Sequence, residues 1–195
     1  EVTFDANADF EPLNDGDTKQ TSVEVTVADE AGNENTSTVT ATVEGVNDDP
    51  TNLSVDNATV RQSAGVNATV GTLSAEDVDN DVANLTYTLV AGTGDADNSA
   101  FRIDGDDLQA RNASTMADGE YDVRVEVEDP DGGTTEEPFT VTVVDDVAPI
   151  VGPVTLTDAT DGNGILADGD DLTITAEVTD VTAVDAVSAN ASAFD

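Results

Sequence analysis

Residues 121–144 read YDVRVEVEDPDGGTTEEPFTVTVV, and the spacing of their apolar side chains indicates the fold class. From Tyr121 to Val127 every second residue is apolar, and the alternation returns from Phe139 to Val143. A period of two is typical of a β-strand with one buried face. The stretch between the two runs is rich in aspartate and glycine, which favours a loop. Residues 121–144 therefore predict two strands of a β-sheet.

The same period recurs along most of the chain, and no stretch has the 3.6-residue period of an amphipathic helix. SVEVTVA at 22–28 and TVTATVE at 38–44 flank DEAGNENTS, which predicts a hairpin. LTYTLV at 85–90 and LTITAEV at 172–178 predict further strands. Short strands separated by turn signals roughly every 8–12 residues are typical of β-sandwiches. The apolar residues expected on buried strand faces are Val23, Val25, Val27, Val39, Ala41, Val43, Leu85, Tyr87, Leu89, Tyr121, Val123, Val125, Val127, Phe139, Val141, Val143, Leu172, Ile174, Ala176 and Val178.

Two proline-containing joints divide the chain, GVNDDP at 45–50 and VDDVAP at 144–149. Between them, residues 48–147 have the length of one complete domain of roughly seven strands. Residues 1–47 contain only the closing strands of a sandwich, and residues 148–195 contain only the opening strands. The expected fold class is therefore all-β, with tandem Ig-like β-sandwiches joined by short proline-containing linkers.

The two end pieces, joined tail to head, have the strand order of one Ig-like sandwich. We therefore expect the 195 residues to be one period of a longer tandem array. One alternative is a subunit that assembles head to tail by strand complementation between chains. The other alternative is a fragment with frayed ends.

The charge of the chain indicates its environment. Acidic residues number 43 against 5 basic ones, which gives a formal net charge of −38, and Lys19 is the only lysine. At ordinary ionic strength, self-repulsion of this charge destabilises the compact state. At molar salt the Debye length falls to about 3 Å, so most of the repulsion is screened. The composition therefore indicates a protein of a halophile, with a haloarchaeon as the expected source.

The residue types also exclude several functions. Nucleic acid and anionic membrane surfaces would repel an acidic chain that has no basic stripe. No apolar run approaches the roughly 18 residues of a membrane span. Cysteine and histidine are absent, which excludes disulfides, thiol nucleophiles, imidazole bases and ordinary zinc sites. Since no catalytic set stands out among the carboxylates, we do not expect an enzyme.

The central segment resembles cadherin-like repeats over residues 50–147. The resemblance lies in VGTLSAEDVDNDVANLTYTLVAGTGDADNSAFRIDGDDLQA at 70–110, followed by YDVRVEVEDPDGG and FTVTVVD. The joint GVNDDP resembles the linker of cadherins and of the related VCBS-type repeats. The end pieces resemble the Ig-like domains of haloarchaeal cell-surface proteins through DATDGNGILADGDDLTI at 158–174 and VADEAGN at 27–33.

The resemblance implies calcium ions at the domain junction. They would be held by the linker, by an Asp-x-Asp loop of the next domain and by an aspartate after a late strand. Carried over to this sequence, these ligands would be Asn47, Asp48, Asp49, Asp77, Asp79 and Asp129. Gly45 stands where a cadherin linker has aspartate, and the second joint lacks the Asn-Asp pair.

The acidic loops support Ca²⁺ as a cofactor independently, because calcium takes 6–8 oxygen ligands and favours closely spaced carboxylates. DVDND supplies aspartates at every second position, and it adds Asp81 to the candidate ligands Asp77 and Asp79. The alternative is that such pairs form only a solvated halophilic surface. Further acidic loops carry Asp95, Asp97, Asp129, Asp131, Asp158, Asp161 and Asn163.

Glycosylation motifs are more frequent than chance. Seven Asn-x-Ser/Thr motifs occur, whereas about 2.6 would arise from 14 asparagines and 36 serines and threonines in 195 residues. The excess indicates an exported, N-glycosylated protein. The alternative is that threonine-rich strands generate the motif incidentally. The candidate sites are Asn35, Asn52, Asn57, Asn67, Asn84, Asn112 and Asn190.

The expected function is structural. The chain would be a repeat unit of an extracellular haloarchaeal filament, sheath, S-layer or adhesin stalk, stiffened by calcium at its joints. Its partners would be copies of itself or adjacent repeats, head to tail, with other cell-surface proteins or glycans as further candidates. The alternative is a calcium-dependent binding module of a secreted enzyme, a lectin or a virus fibre. Only 7 aromatic residues and no tryptophan are present, which disfavours a carbohydrate-binding surface.

Overall fold

The structure is a computed structural model that describes residues 10–160 and 171–188. Within these ranges the chain is all-β, with four single-turn 3-10 helices and no α-helix, which confirms the fold class. No described segment forms a helix that is long and apolar enough to cross a membrane. The strands are β1 (Thr18–Ala28), β2 (Glu34–Glu44), β3 (Thr51–Val55), β4 (Thr59–Arg61), β5 (Val66–Glu76), β6 (Thr86–Leu89), β7 (Phe101–Asp104), β8 (Asp107–Asn112), β9 (Gly119–Glu128), β10 (Thr134–Val144), β11 (Ile150–Val151), β12 (Thr155–Asp158), β13 (Leu172–Thr175) and β14 (Val178–Thr179).

Strands β3 to β10 form two packed sheets of four strands. One sheet has the order β4-β10-β9-β6, and the other has the order β3-β5-β8-β7. Strand β4 runs parallel to β10, and the other pairs are antiparallel. The side chains buried between the sheets are Leu53, Val60, Ala68, Val70, Leu73, Leu85, Phe101, Leu108, Ala110, Ala113, Met116, Val123, Val125, Val127, Val141 and Val143.

The alternation in β9 and β10 places one face of each strand in this core. Val123, Val125 and Val127 of β9 are fully buried, and so are Val141 and Val143 of β10, which pair with Tyr121 and Gly119. Burying a valine side chain contributes about 1.5–3 kcal/mol, so these two strands supply a large part of the apolar stabilisation. The side chains that lie partly buried against the core include Tyr87, Leu89, Tyr121 and Phe139.

Strands β1 and β2 form a separate two-stranded antiparallel sheet. Val23 pairs with Val39, yet their side chains are 44% and 60% exposed, and Val27 is 67% exposed. The strands were predicted correctly, but the expected burial of these valines is not met in the part of the chain that the structure describes. The reason is that no second sheet covers the hairpin there. A two-stranded hairpin alone is marginally stable in water.

The segment after the second joint contains two short ladders. Strand β11 pairs with β14, and β12 pairs with β13. The expectation of one strand over 172–178 is wrong, because β13 ends before Ala176 and β14 begins after Glu177. Ile174, expected to be buried, is 43% exposed, since the ladders are short and no described sheet packs on them. The side chain of Leu172 lies outside the described residues.

The first linker is attached to structure on both sides. The N–H of Gly45 donates to the carbonyl of Asp17 at 2.8 Å. Pro50 is fully buried, and its carbonyl accepts a hydrogen bond from the Thr135 hydroxyl at 2.5 Å. These contacts fix where the linker meets β10 of the four-stranded sheets. The division into residues 1–47, 48–147 and 148–195 stays a prediction.

Candidate metal centre

Three segments converge at one end of the central sandwich. The linker contributes residues 47–49, the loop after β5 contributes residues 77–81, and the loop after β9 contributes residues 129–133. Strands β5 and β9 belong to different sheets. Their loops therefore come together only when the two sheets pack.

Two hydrogen bonds attach the linker to these loops. The Asn47 Nδ2 group donates to Asp129 Oδ2 at 3.0 Å, across 82 positions of sequence. The backbone N–H of Asp48 donates to Asp79 Oδ2 at 3.2 Å, across 31 positions. The structure thus brings together four of the predicted ligands, two from the linker and one from each loop.

Asp77 is the residue of this cluster with an unsatisfied buried atom. Its Oδ1 accepts hydrogen bonds from the backbone N–H groups of Asp79 at 3.1 Å and Asn80 at 2.8 Å. Its Oδ2 is buried and has no hydrogen-bond partner. A buried carboxylate oxygen without a partner is costly, because it loses hydration and gains nothing in return. A cation beside this oxygen would remove that cost.

The carboxylates of Asp77 and Asp79 lie side by side. Burial raises the pKa of the Asp79 carboxyl above its ordinary value, and the adjacent Asp77 carboxyl raises it further. The hydrogen bond from the Asp48 N–H acts in the opposite direction but is outweighed. Two like charges in a partly desolvated loop repel each other. A positive charge beside the pair would offset this repulsion.

Asp129 is held as a charged group in the loop after β9. It is 4% exposed, and its Oδ1 accepts the N–H groups of Asp131 at 2.8 Å and Gly133 at 2.9 Å. Burial by itself raises the pKa of this carboxyl. The hydrogen bonds from Asn47 and from the loop backbone outweigh burial, so the pKa lies below its ordinary value. Asp129 therefore presents a negative charge to the linker.

Asn80 is a member of the cluster that sequence reasoning missed. Its Nδ2 group lies 3.3 Å from Asn47 Oδ1 and 3.2 Å from Asp131 Oδ2. It thereby connects the loop after β5 to the linker and to the loop after β9. The sequence signal for Asn80 is its place inside DVDND, where the alternating aspartates predict ligands at Asp77, Asp79 and Asp81 instead.

Asp49 and Asp81 occupy different positions relative to the cluster. Asp49 Oδ1 lies beside Gly133, since a Cβ atom placed on that glycine would be 2.7 Å from it. Asp81 accepts the N–H of Ala83 at 3.0 Å and caps the 3-10 turn Val82–Asn84. Its carboxylate serves the local turn, and a ligand role for Asp81 stays a prediction.

The donor set agrees with calcium in its chemistry. Among the described residues, no three acidic side chains already stand together as a ready-made metal site. The oxygens that do converge come from carboxylates and an amide, which are the ligand types that Ca²⁺ takes. The unsatisfied Asp77 oxygen and the adjoining Asp79 carboxylate are the features that a cation would complete. The residues present therefore fit the ion that the sequence predicts.

The carboxylates of the other acidic loops accept hydrogen bonds from backbone N–H groups outside the first linker. Asp95 Oδ2 accepts the N–H of Gly92 at 3.0 Å, and Asp97 Oδ2 accepts the N–H of Asp122 at 2.8 Å. Asp158 Oδ1 accepts the N–H of Thr160 at 2.9 Å. The bonds of Asp95 and Asp158 stabilise turns, and the bond of Asp97 attaches its loop to β9. The remaining candidates of this group, Asp161 and Asn163, lie outside the described residues.

Six of the seven predicted glycosylation sites fall in the described residues, and Asn190 lies outside them. Asn35 and Asn84 are exposed and make no side-chain hydrogen bond in the described structure. The Asn57 Nδ2 group donates to two backbone carbonyls, at 2.9 and 2.5 Å. The others form one side-chain contact each: Asn52 with Glu76, Asn67 with Arg102, and Asn112 with Ser114.

Comparisons with known proteins give partial structural likeness. The sequence matches no protein-family model and no curated protein. The structure of Drosophila N-cadherin EC1-4 has 26% sequence identity and a TM-score of 0.46, over 73% of this chain and 37% of that chain. Protocadherin Gamma B2 extracellular cadherin domains 1-5 has 15% identity and a TM-score of 0.43, over 72% of this chain and 35% of that chain.

Protocadherin Gamma B7 extracellular cadherin domains 1-4 has 12% identity and a TM-score of 0.42, over 84% of this chain and 66% of that chain. The chain thus spans little more than a third of the first two structures. All three TM-scores are below 0.5. The sandwich fold is therefore established by the sheet order and the buried core of the chain itself.

Proposed function

We propose that this chain is a structural repeat module of an extracellular filament, sheath or adhesin stalk, with a calcium-stabilised joint in front of its central sandwich. The observation that supports the proposal is the attachment of the linker to two loops of different sheets. Asn47 contacts Asp129, and Asp48 contacts Asp79. A linker held at two points transmits force and orientation between neighbouring domains, which is what a stalk or a filament requires.

Calcium would act at this joint through the converging oxygens. The residues that would hold it are Asn47, Asp48, Asp49, Asp77, Asp79, Asp81 and Asp129. A bound divalent cation supplies the positive charge that the adjoining carboxylates of the loop after β5 lack. Because the ligands come from the linker and from both sheets, binding would stabilise the joint and the end of the sandwich together.

The exposed face of the β1–β2 hairpin supports head-to-tail association. Val23, Val27 and Val39 form an apolar surface on one side of the hairpin, whereas the opposite side is rich in threonine. The segment after the second joint also exposes apolar residues, among them Ile150 and Leu156. In our proposal this segment of an adjacent repeat or a second copy covers the hairpin and completes one Ig-like sandwich.

The composition supports an extracellular, high-salt location. A net charge of −38 in 195 residues is tolerated where molar salt screens repulsion, as in the surroundings of a haloarchaeal cell surface. The exposed sequons at Asn35 and Asn84 agree with an exported glycoprotein. Neither feature requires a catalytic centre.

Thermal unfolding in molar KCl, with calcium or with a chelator, tests the proposal. We expect calcium to raise the melting temperature, since a ligand at about 100 times its dissociation constant adds about 2.7 kcal/mol to stability. The variant Asp77→Asn should lose most of this increment, because it removes a charged ligand. Asp118→Asn, at an exposed position away from the joint, should retain it. Identical melting of the wild-type chain in both buffers would reject the calcium role.

A further inference from the structure

The hairpins β1–β2 and β9–β10 have closely similar turns that lie 100 positions apart. The N–H of Asp29 donates to the carbonyl of Asn33 at 3.0 Å, and the N–H of Asp129 donates to the carbonyl of Gly133 at 3.0 Å. Each turn contains a glycine with positive φ one position before its end, at +84° and +95°. The two loops therefore have one backbone design.

The first carboxylate oxygen is used in the same way in both loops. Asp29 Oδ1 accepts the backbone N–H groups of Ala31 at 2.9 Å and Asn33 at 2.8 Å. Asp129 Oδ1 accepts the corresponding N–H groups, two and four positions later, at 2.8 and 2.9 Å. This oxygen holds the loop closed and is not available to the linker.

The second carboxylate oxygen distinguishes the loops. In the first hairpin, Asp29 Oδ2 accepts the side-chain Nδ2 group of Asn33 at 2.8 Å, from within its own loop. In the second, Asp129 Oδ2 accepts the Nδ2 group of Asn47 at 3.0 Å, from the linker. In both loops an asparagine amide donates to the second carboxylate oxygen. Asn33 belongs to the same loop as its aspartate, whereas Asn47 belongs to the linker.

The reason lies at the fourth position after the aspartate. Gly133 has no side chain, and a Cβ atom there would collide with Asp129 Oδ2 and would lie 2.7 Å from both Asn47 Nδ2 and Asp49 Oδ1. Its φ is not in the positive range, so the backbone does not require glycine. The glycine leaves room both for Asp129 Oδ2 and for the linker side chains that approach it.

We propose that this position is the specificity-determining residue for linker docking: Gly133 keeps the Asp129 loop open to the linker asparagine, and Asn33 closes the Asp29 loop by supplying the amide itself. Domains with an open loop accept an asparagine-bearing linker, and domains with a closed loop do not. The inference concerns the contact between linker and loop, and it holds whether or not calcium binds at the joint.

The second linker provides a joint of a different kind. VDDVAP contains no asparagine. Its Asp146 instead accepts hydrogen bonds from the N–H of Ser63 at 2.9 Å and from the Ser63 hydroxyl at 2.6 Å. Its Asp145 accepts a hydrogen bond from the Thr182 hydroxyl. This linker is therefore held through its own carboxylates and not through an asparagine amide.

Hydrogen exchange of the full chain in molar KCl tests the inference. Gly133→Asn should displace Asn47 and accelerate exchange of the Asp48 amide, which donates to Asp79 Oδ2, on the order of tenfold, because the linker loses its hydrogen bond to the Asp129 carboxylate. The matched variant Asn33→Gly changes the equivalent position of the first loop and should leave this amide as protected as in the wild type. Protection of the β9 and β10 amides reports that the sandwich remains folded.

Asn47→Ala provides a second readout that does not depend on tolerating a new side chain in the loop. It should reproduce the loss of linker protection, and combining it with Gly133→Asn should add nothing further. Unchanged linker protection in Asn47→Ala, or in a folded Gly133→Asn, would overturn the inference. Measuring the wild type with calcium and with chelator separates the two proposals. If linker protection is the same in both buffers, the calcium role is contradicted, but the role of Gly133 is not.

Discussion

The side-chain amide of Asn47 lies 3.0 Å from the buried carboxylate of Asp129, although 82 positions separate the two residues in sequence. The contact joins a linker to a loop of the sandwich that follows it. Because Asp129 also holds its own loop through Oδ1, one carboxylate links the stability of the sandwich to the position of the linker.

Asp129→Ala should therefore destabilise the central sandwich strongly. The substitution leaves two backbone N–H groups and the Asn47 amide without their acceptor, and hydrogen bonds to a charged group contribute about 1.5–3 kcal/mol each. We expect a loss of about 2–4 kcal/mol in urea unfolding at molar KCl. Asp118→Ala, at an exposed position, should change stability by less than about 0.5 kcal/mol. Equal stabilities of the two variants would contradict the role given to Asp129.

Asp79 should contribute to the pH dependence of stability with a definite sign. Burial and the neighbouring Asp77 carboxyl raise its pKa in the folded state. A raised pKa means that the folded state disfavours the charged form, so this group destabilises the fold at neutral pH and ceases to do so as pH falls through its folded pKa. In a chelator, Asp79→Asn should raise the melting temperature at pH 7.

The sign of this effect should reverse with calcium. With the ion bound, Asp79→Asn removes a ligand and should lower the melting temperature relative to the wild type. At a pH below the ordinary aspartate pKa of about 3.9, the two chains should melt alike in chelator, because both side chains are then neutral. If Asp79→Asn is less stable than the wild type in chelator at pH 7, repulsion between the Asp77 and Asp79 carboxylates does not destabilise the fold.

Val39→Asp should abolish association through the β1–β2 hairpin. The side chain is 60% exposed and lies in the apolar face, where a charge would have to be buried on contact with a covering sheet. Sedimentation of the wild type in molar KCl should show concentration-dependent association, and the variant should sediment as a monomer. Thr40→Asp adds the same charge to the next residue, which points to the opposite face of the strand. If Thr40→Asp disrupts association equally, the valine face is not the contact surface.

Asn57 and Asn84 should behave differently although both are sequons. The Asn57 amide is engaged by two backbone carbonyls, whereas the exposed Asn84 side chain makes no hydrogen bond in the described structure. Asn57→Ala should cost about 1–2 kcal/mol of stability, and Asn84→Ala should cost less than about 0.5 kcal/mol. Peptide mass spectrometry of the native protein should find glycan at Asn84 and bare amide at Asn57. The reverse occupancy would contradict this assignment.

The sequence predicted the strands of the central sandwich because alternation is a local signal. Val123, Val125 and Val127 could be assigned to a buried face from their spacing alone, and the structure buries all three. The same spacing at Val23 and Val39 predicted strands equally well but not burial, since burial depends on whether another sheet lies opposite. At Ala176 the alternation continued across a break between two strands, because spacing does not report where pairing partners end.

The sequence by itself determined that the chain is all-β, strongly acidic and supplied with oxygen ligands in its loops. Only the tertiary structure decided which of 43 acidic residues meet, since contacts between the linker and loops of two different sheets depend on how the sheets pack. It placed Asp79 and Asp129 in hydrogen-bonding contact with the linker and gave Asp81 a hydrogen bond that caps a turn. The role that we propose for Gly133 also depends on the tertiary structure, because a single sequence does not show which atoms lie next to a glycine.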